Sequence, residues 1–196
     1  MAARGGSGLL TLASILAWPC RVFAVACGVM LFVLTAVILY DVIGRRFFAT
    51  GSVLLQELQW HLHGAIAVLA FGYAYLKDVH VRIDVFAGKL QGGTRLRLEI
   101  AAILLFLVPF MIFVAWYGTD FAWRSYVRGE GSTGGLGLPH RWIIKSAVPV
   151  SAVLAIMGGL AVALRAYVAL TRPDLLADPF ERDGRDEATI EAGSHG

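Results

Sequence analysis

The chain has 196 residues, of which 58% are hydrophobic and 16% charged, with a formal net charge of +3 and a mean hydropathy of +0.69. An average soluble domain carries about 25% charged residues, and the apolar residues here are gathered into long runs, so the composition excludes a soluble globular domain and indicates a membrane protein. The tail from Thr171 onward holds seven acids and three arginines, which leaves fourteen basic and seven acidic residues in the body. Basic excess beside membrane helices reflects topology and lipid headgroups, and with no nucleic-acid motif beside it nucleic acid is not expected as a partner.

Residues 9–18 (LLTLASILAW) are apolar but fall short of the roughly 20 residues that span a bilayer. Pro19 and Arg21 close them, so a short interfacial helix is predicted within an N-terminal segment, residues 1–21. Residues 2–17 carry too little charge and no A-x-A pattern, so a cleaved signal peptide is not expected. Cys20 and Cys27 make no disulfide or zinc motif and are expected to pack in the membrane.

A four-helix transmembrane domain is predicted over residues 22–168, with spans at about 22–43, 54–76, 98–121 and 142–167, giving an all-α integral membrane protein. Asp41 stands near the outgoing end of the first span, before Arg45 and Arg46. The second span is two-sided at about 100° per residue. Leu58, Leu62, Ala65, Ile66 and Leu69 form an aliphatic arc suited to lipid. Gln56, Trp60, His63, Ala67, Ala70 and Ala74 form a polar and small-residue arc suited to a partner helix, with Glu57, His61 and Gly64 beside it. Pro109 is expected to kink the third span. The loop from Arg124 to Lys145 is glycine-rich and holds little regular helix. In the fourth span Ser151, Ala155, Gly159 and Ala163 recur every four residues, a spacing that lets helices approach closely. Residues 169–196 read as an acidic, disordered cytoplasmic tail.

Alternate compartments hold eleven and six basic residues, which puts both termini and the loop between the second and third spans in the cytoplasm. Glu57 and His61, four apart on one face, allow a proton or ion site. They equally allow a salt bridge from Glu57 to Arg45 or Arg46, which the position near the water boundary favours. His61 and His63 point about 200° apart and cannot share one metal ion. The alternation of His80, Arg82 and Asp84 with apolar residues fits either a solvated loop or polar positions facing one partner. No Ser-His-Asp set, nucleotide loop or metal motif occurs, so no catalytic, cofactor-binding or metal-binding residue is predicted, and the chain is not expected to be an enzyme.

The run Tyr40-Asp41-Val42-Ile43-Gly44-Arg45-Arg46-Phe47-Phe48, then Glu57 and Trp60, Gly72-Tyr73-Ala74, and His80-Val81-Arg82-Ile83-Asp84 resembles the small membrane subunit of tripartite ATP-independent periplasmic (TRAP) transporters, the DctQ-like family. Gly137-Leu138-Pro139, Trp142 and Lys145 are similar too, so the resemblance covers residues 22–168. Relatives often carry two adjacent acids where this chain has Gln56-Glu57. The resemblance implies a bacterial inner-membrane complex in which a periplasmic binding protein delivers an organic acid to a large, sodium-coupled membrane subunit. This chain would be the accessory scaffold, without a cofactor of its own. The second and fourth helices would then present small-residue faces to the large subunit, and Arg45, Glu57, Trp60, His63, His80, Arg82, Asp84 and Gly159 would clamp helices or meet that subunit. Arg124, Arg128, Glu130 and Arg141 would meet the binding protein. Membrane lipids are the remaining expected partner. Two other readings stay open: a self-sufficient homo-oligomeric transporter with Glu57 as the coupling group, and a haem-binding redox subunit.

Overall fold

A computed structural model describes residues 2–78, 92–132, 137–176 and 178–180, and the elements among them are all helical. They are α1 (Ala2–Phe48), α2 (Val53–Leu69), α3 (Phe71–Leu76), α4 (Gly92–Ala102), a π-helical turn (Ile103–Leu107), α5 (Val108–Val127) and α6 (Trp142–Thr171). Helix is the expected outcome for apolar runs in lipid, where every backbone N–H and C=O needs a partner within its own segment. Three stretches are long and apolar enough to cross a membrane: Gly6–Phe48, Gly93–Val127 and Trp142–Thr171. The second expected span comes in two pieces, α2 of 17 residues and α3 of 6, joined at Ala70.

The N-terminal part differs from the sequence expectation. No break separates residues 9–18 from residues 22–43, because α1 continues through Pro19 as one helix of 47 residues. Proline deletes one hydrogen bond and crowds the carbonyl four residues back. Here Ala13, Ala17 and Cys20, on both sides of the proline, are fully buried in one core cluster with Leu154, Ala161 and Val162 of α6. Packing on both flanks holds the helix through a residue that local rules take as a stop.

Pro109 also acts differently from a simple kink. Its ring crowds the carbonyl of Leu105, and the chain answers with the π turn, in which the Val108 N–H reaches back five residues to Ile103. The wider turn pushes Ile103, fully buried, and Leu107 toward α6, where the missing side chain of Gly159 makes room.

Helix α6 is apolar around its whole circumference and touches every other helix, so the core is built around it. Its small residues (Ala152, Ala155, Gly158, Gly159, Ala161, Ala163 and Ala166) are buried inside the chain's own bundle. The small-residue face of the fourth span is therefore used within the chain and is not left for a partner, and this relocates Gly159. The tightest contact joins α3 to α6. A Cβ on Gly72 would lie 2.6 Å from the Leu154 carbonyl oxygen, and one on Gly158 would lie 2.6 Å from the Gly72 carbonyl oxygen. At the same level the Cys20 thiol donates to the Leu154 carbonyl at 3.3 Å, so α1, α3 and α6 meet there. Gly6 of α1 approaches Leu175, just past α6, which brings the two ends of the described chain to one end of the bundle.

These contacts separate two glycines of equal size. Gly72→Ala presses a methyl group into rigid backbone and should cost about 1–3 kcal/mol. Gly159→Ala meets chiefly the movable end of Leu107 and gains helix propensity of about 0.8–1 kcal/mol, so it should be close to neutral. Thermal unfolding of both variants in detergent checks this, and equal losses would contradict it.

Candidate functional site

At the end of the bundle opposite the termini, three polar clamps tie its elements together. The first joins α1 to α2. Asp41 is only 4% exposed; its Oδ2 accepts from the Arg45 guanidinium one turn on and from Gln59 Nε2 at 3.1 Å. With its amide oxygen turned toward Arg45, Gln56 accepts from Nη1 at 2.9 Å and Nη2 at 3.0 Å. Arg45 thus bridges a carboxylate on its own helix and an amide on the next.

The second clamp joins α2 to the loop between α5 and α6. One oxygen of Glu57 accepts from the Ser132 hydroxyl, and the other accepts from the Leu138 N–H at 2.7 Å. Any side chain at Gly137 would collide with this carboxylate and with Ser132. Glu57 makes no bond to Arg45 or Arg46, so the expected salt bridge is replaced by two separate clamps. His61 turns Nδ1 to the Glu57 carbonyl at 2.6 Å, and since a carbonyl only accepts, Nδ1 carries the proton.

The third clamp joins the end of α5 to the start of α6. The Glu130 carboxylate accepts from the Ser125 hydroxyl at 2.7 Å and from the Lys145 ammonium. Its carbonyl accepts from the Arg141 N–H at 3.1 Å. The hydrogen bond from Lys145 and then that from Ser125 hold the Glu130 carboxyl below its ordinary 4.5. Lys145 also sits 4.1 Å from the centroid of the Phe121 ring.

Of the residues expected to meet a binding protein, Glu130 is occupied by this clamp, and Arg141 enters it through its backbone N–H alone. Arg124 pairs with Asp120 one turn back. Arg128 is the most exposed of them at 68%, with Nη1 4.0 Å from Glu130. On α2, Gln56, Trp60, His63 and Ala67 all point outward, and Trp60 is 80% exposed. The opposite arc does not face lipid as expected. Leu58, Leu62, Ala65 and Leu69 line an apolar cleft of about 490 Å³ together with Ile143 and Ala147 of α6, roofed by Leu138 and Pro139. At the other end Tyr75 donates to Glu99 at 2.7 Å, which ties α3 to α4. His80, Arg82 and Asp84 lie outside the described residues. Among the described residues no group of three or more His, Cys, Asp or Glu is placed to hold a metal ion.

Sequence reasoning missed Ser132, Leu138, Gln59, Ser125 and Lys145 as clamp partners. Only Asp41–Arg45 carried a local signal, the four-residue helical spacing.

Two outcomes follow from the clamps. Glu57→Ala removes two hydrogen bonds to a charged acceptor, each worth about 1.5–3 kcal/mol, so the Leu138 amide should exchange its hydrogen at least tenfold faster. Exchange at the wild-type rate would remove Glu57 from the clamp. Because the Glu130 pKa is lowered on folding, its contribution is complete above about 4.5 and is lost as pH falls through the folded value. Glu130→Gln should therefore lower Tm at pH 7 and converge with wild type in acid, and a constant gap across that range would refute the charge argument.

Residues 34–169 match the family model of the DctQ component of tripartite ATP-independent periplasmic transporters, a stretch that runs from the middle of α1 to nearly the end of α6. A search of the curated proteins finds no match. Since the match takes in more than two thirds of the chain and includes all three clamps, the protein belongs to the DctQ family of small membrane subunits of TRAP transporters.

Proposed function

We propose that this chain is a non-catalytic brace. It holds the fixed part of the large membrane subunit and helps to dock the periplasmic binding protein, while that large subunit imports an organic acid with sodium. The observation that carries the reading is the outward stripe Gln56, Trp60, His63 and Ala67 on α2. An imidazole facing lipid tails would lack hydrogen-bond partners, and a large aromatic beside small residues is a good anchor for a facing helix. Gln56 already pairs with Arg45, so Trp60 and His63 are the members of the stripe with unmet packing.

The same distribution weighs against a self-sufficient transporter. Glu57, the only acid of the second span, is held by Ser132 and Leu138 and lines no path. Sodium coupling then belongs to the large subunit, and this chain needs no cofactor. With α2 and α3 acting together as one span, four crossings keep both termini on one side, and the eleven of seventeen basic residues on that side favour the cytoplasm. The exposed Arg128 and the Arg124–Asp120 pair would stand at the periplasmic rim, where charge guides encounter with the binding protein. His80, Arg82 and Asp84 would fasten the cytoplasmic loop to the large subunit.

The test is co-purification. Trp60→Ala with His63→Ala should lower recovery of the large subunit at least tenfold, as expected for an aromatic anchor worth about 2 kcal/mol. Phe32→Ala, on an equally exposed but apolar position of α1, should leave recovery unchanged. Equal recovery with both variants, or transport by this chain reconstituted alone, would overturn the proposal.

A further inference from the structure

The apolar cleft of about 490 Å³ lies among α1, α2 and α6, and the contacts around it explain why it is there. Helix α1 meets α6 at Cys20 and Leu154, α1 meets α2 at Cys27 and Ile66, and Gly64 of α2 approaches Ile144 of α6. These pairwise contacts leave a gap between the three rods. Its walls are Phe23 and Met30 of α1, one face of α2 from Leu58 to Leu69, and one face of α6 from Ile143 to Val150.

The roofed end lies under Leu138 and Pro139, whose loop the Glu57 clamp holds, and the deep end lies at Leu69, the last residue of α2. Val150, on the α6 wall, is one turn short of Leu154, so the deep end stands close to the contact of Gly72 with Leu154 in the middle of the bundle. Eleven residues separate Leu58 from Leu69. At about 1.5 Å per residue they span about 16 Å, close to half of a hydrocarbon core of about 30 Å. The cleft therefore has the length of one leaflet.

Length and lining select the occupant. The polar liners are His61, His140 and Ser146, toward the roofed end; His61 donates from Nδ1 to the Glu57 carbonyl, and the Ser146 hydroxyl donates to the Trp142 carbonyl at 2.8 Å. Water needs about two to four polar partners and finds few here. A partner helix, about 10–12 Å across, would fill more than about 1,200 Å³ over the same length, so the cleft is too small for one. An acyl chain is apolar throughout and spans one leaflet. The cleft opens toward such chains along its α6 rim, where Ile143 is 60% and Val150 38% exposed. Left unfilled, its walls would forfeit their dispersion contacts.

We propose that one acyl chain of a phospholipid, from the leaflet at the clamped end, occupies this cleft and runs from beneath Leu138 and Pro139 to Phe23 and Leu69. The chain completes the packing of α1, α2 and α6 where their side chains do not meet. The cleft lies on the opposite side of α2 from Trp60 and His63, so the assignment stands apart from the large-subunit reading.

Photo-crosslinking of the full chain tests it, in liposomes of phosphatidylcholine that carries a diazirine at the far end of one acyl chain. Adducts should map to Phe23, Leu69 and Val150 at least tenfold more often than to Val25 and Phe113, which are exposed at similar depth on the outside of α1 and α5. With the diazirine beside the ester instead, the adducts should move to Leu58 and Ile143. The double variant Ala65→Phe, Ala147→Phe fills the cleft and should remove the adducts at Phe23 and Leu69 while leaving those at Val25 and Phe113. The diazirine shift is read on the wild-type chain and decides the matter even if that variant does not fold. Adducts spread evenly over exposed apolar residues would show ordinary solvating lipid and overturn the proposal. Protection of Phe23 and Leu69 on adding the large subunit would make the cleft a protein contact and equally refute it.

Discussion

The contact on which the bundle depends is the approach of two backbones at Gly72 and Gly158. Each glycine faces a carbonyl oxygen of the other helix at a distance that no side chain could occupy. In lipid, helices gain little from burying apolar surface, because the tails are as apolar as leucine, so close packing has to supply the association. Gly72 brings α3 against α6, the Cys20 thiol brings α1 to the same level, and the π turn before Pro109 seats Ile103 and Leu107 against Gly159 one residue further on. Three neighbouring contacts on one helix thus assemble the other rods around it.

Charge obeys a complementary constraint. An ionisable group at membrane depth is stable only with partners, and each clamp acid at the end opposite the termini has them. Asp41 has Arg45 and Gln59, Glu57 has Ser132 and the Leu138 amide, and Glu130 has Ser125 and Lys145. The clamps link α1 to α2, α2 to the loop between α5 and α6, and α5 to α6, so the end opposite the termini is tied crosswise while glycines hold the middle. A subunit fastened in this way is suited to staying still while a partner moves. Under the proposed function, the polar groups still facing outward, on α2 and at Arg128, are the ones that would meet other components of the transporter.

Much of the architecture was legible in the residues. Long apolar runs, the outer-loop glycines and the ordered set from Tyr40 through Lys145 pointed to a helical membrane protein of the family that the comparison shows. The misreadings share one cause. Pro19 looked like a stop, the aliphatic arc of α2 looked lipid-facing, and Ser151, Ala155, Gly159 and Ala163 looked like a partner's face. Each was judged from a single helix, whereas the answer lay in which helix stood opposite. Glu57 is the sharpest case, because the nearest cations in sequence were Arg45 and Arg46 and its actual partners lie seventy-five and eighty-one residues away.

The sequence by itself determined the class of the molecule, the extent of its apolar segments and the family to which it belongs, because hydropathy and motif order are properties of a single strand. Only the tertiary structure decided which faces are spent inside the chain. In a membrane protein apolar residues face both lipid and core, so periodicity alone does not distinguish inside from outside. That distinction rests on backbone approaches such as Gly72 to Gly158, and on long-range hydrogen bonds whose partners no local spacing reveals.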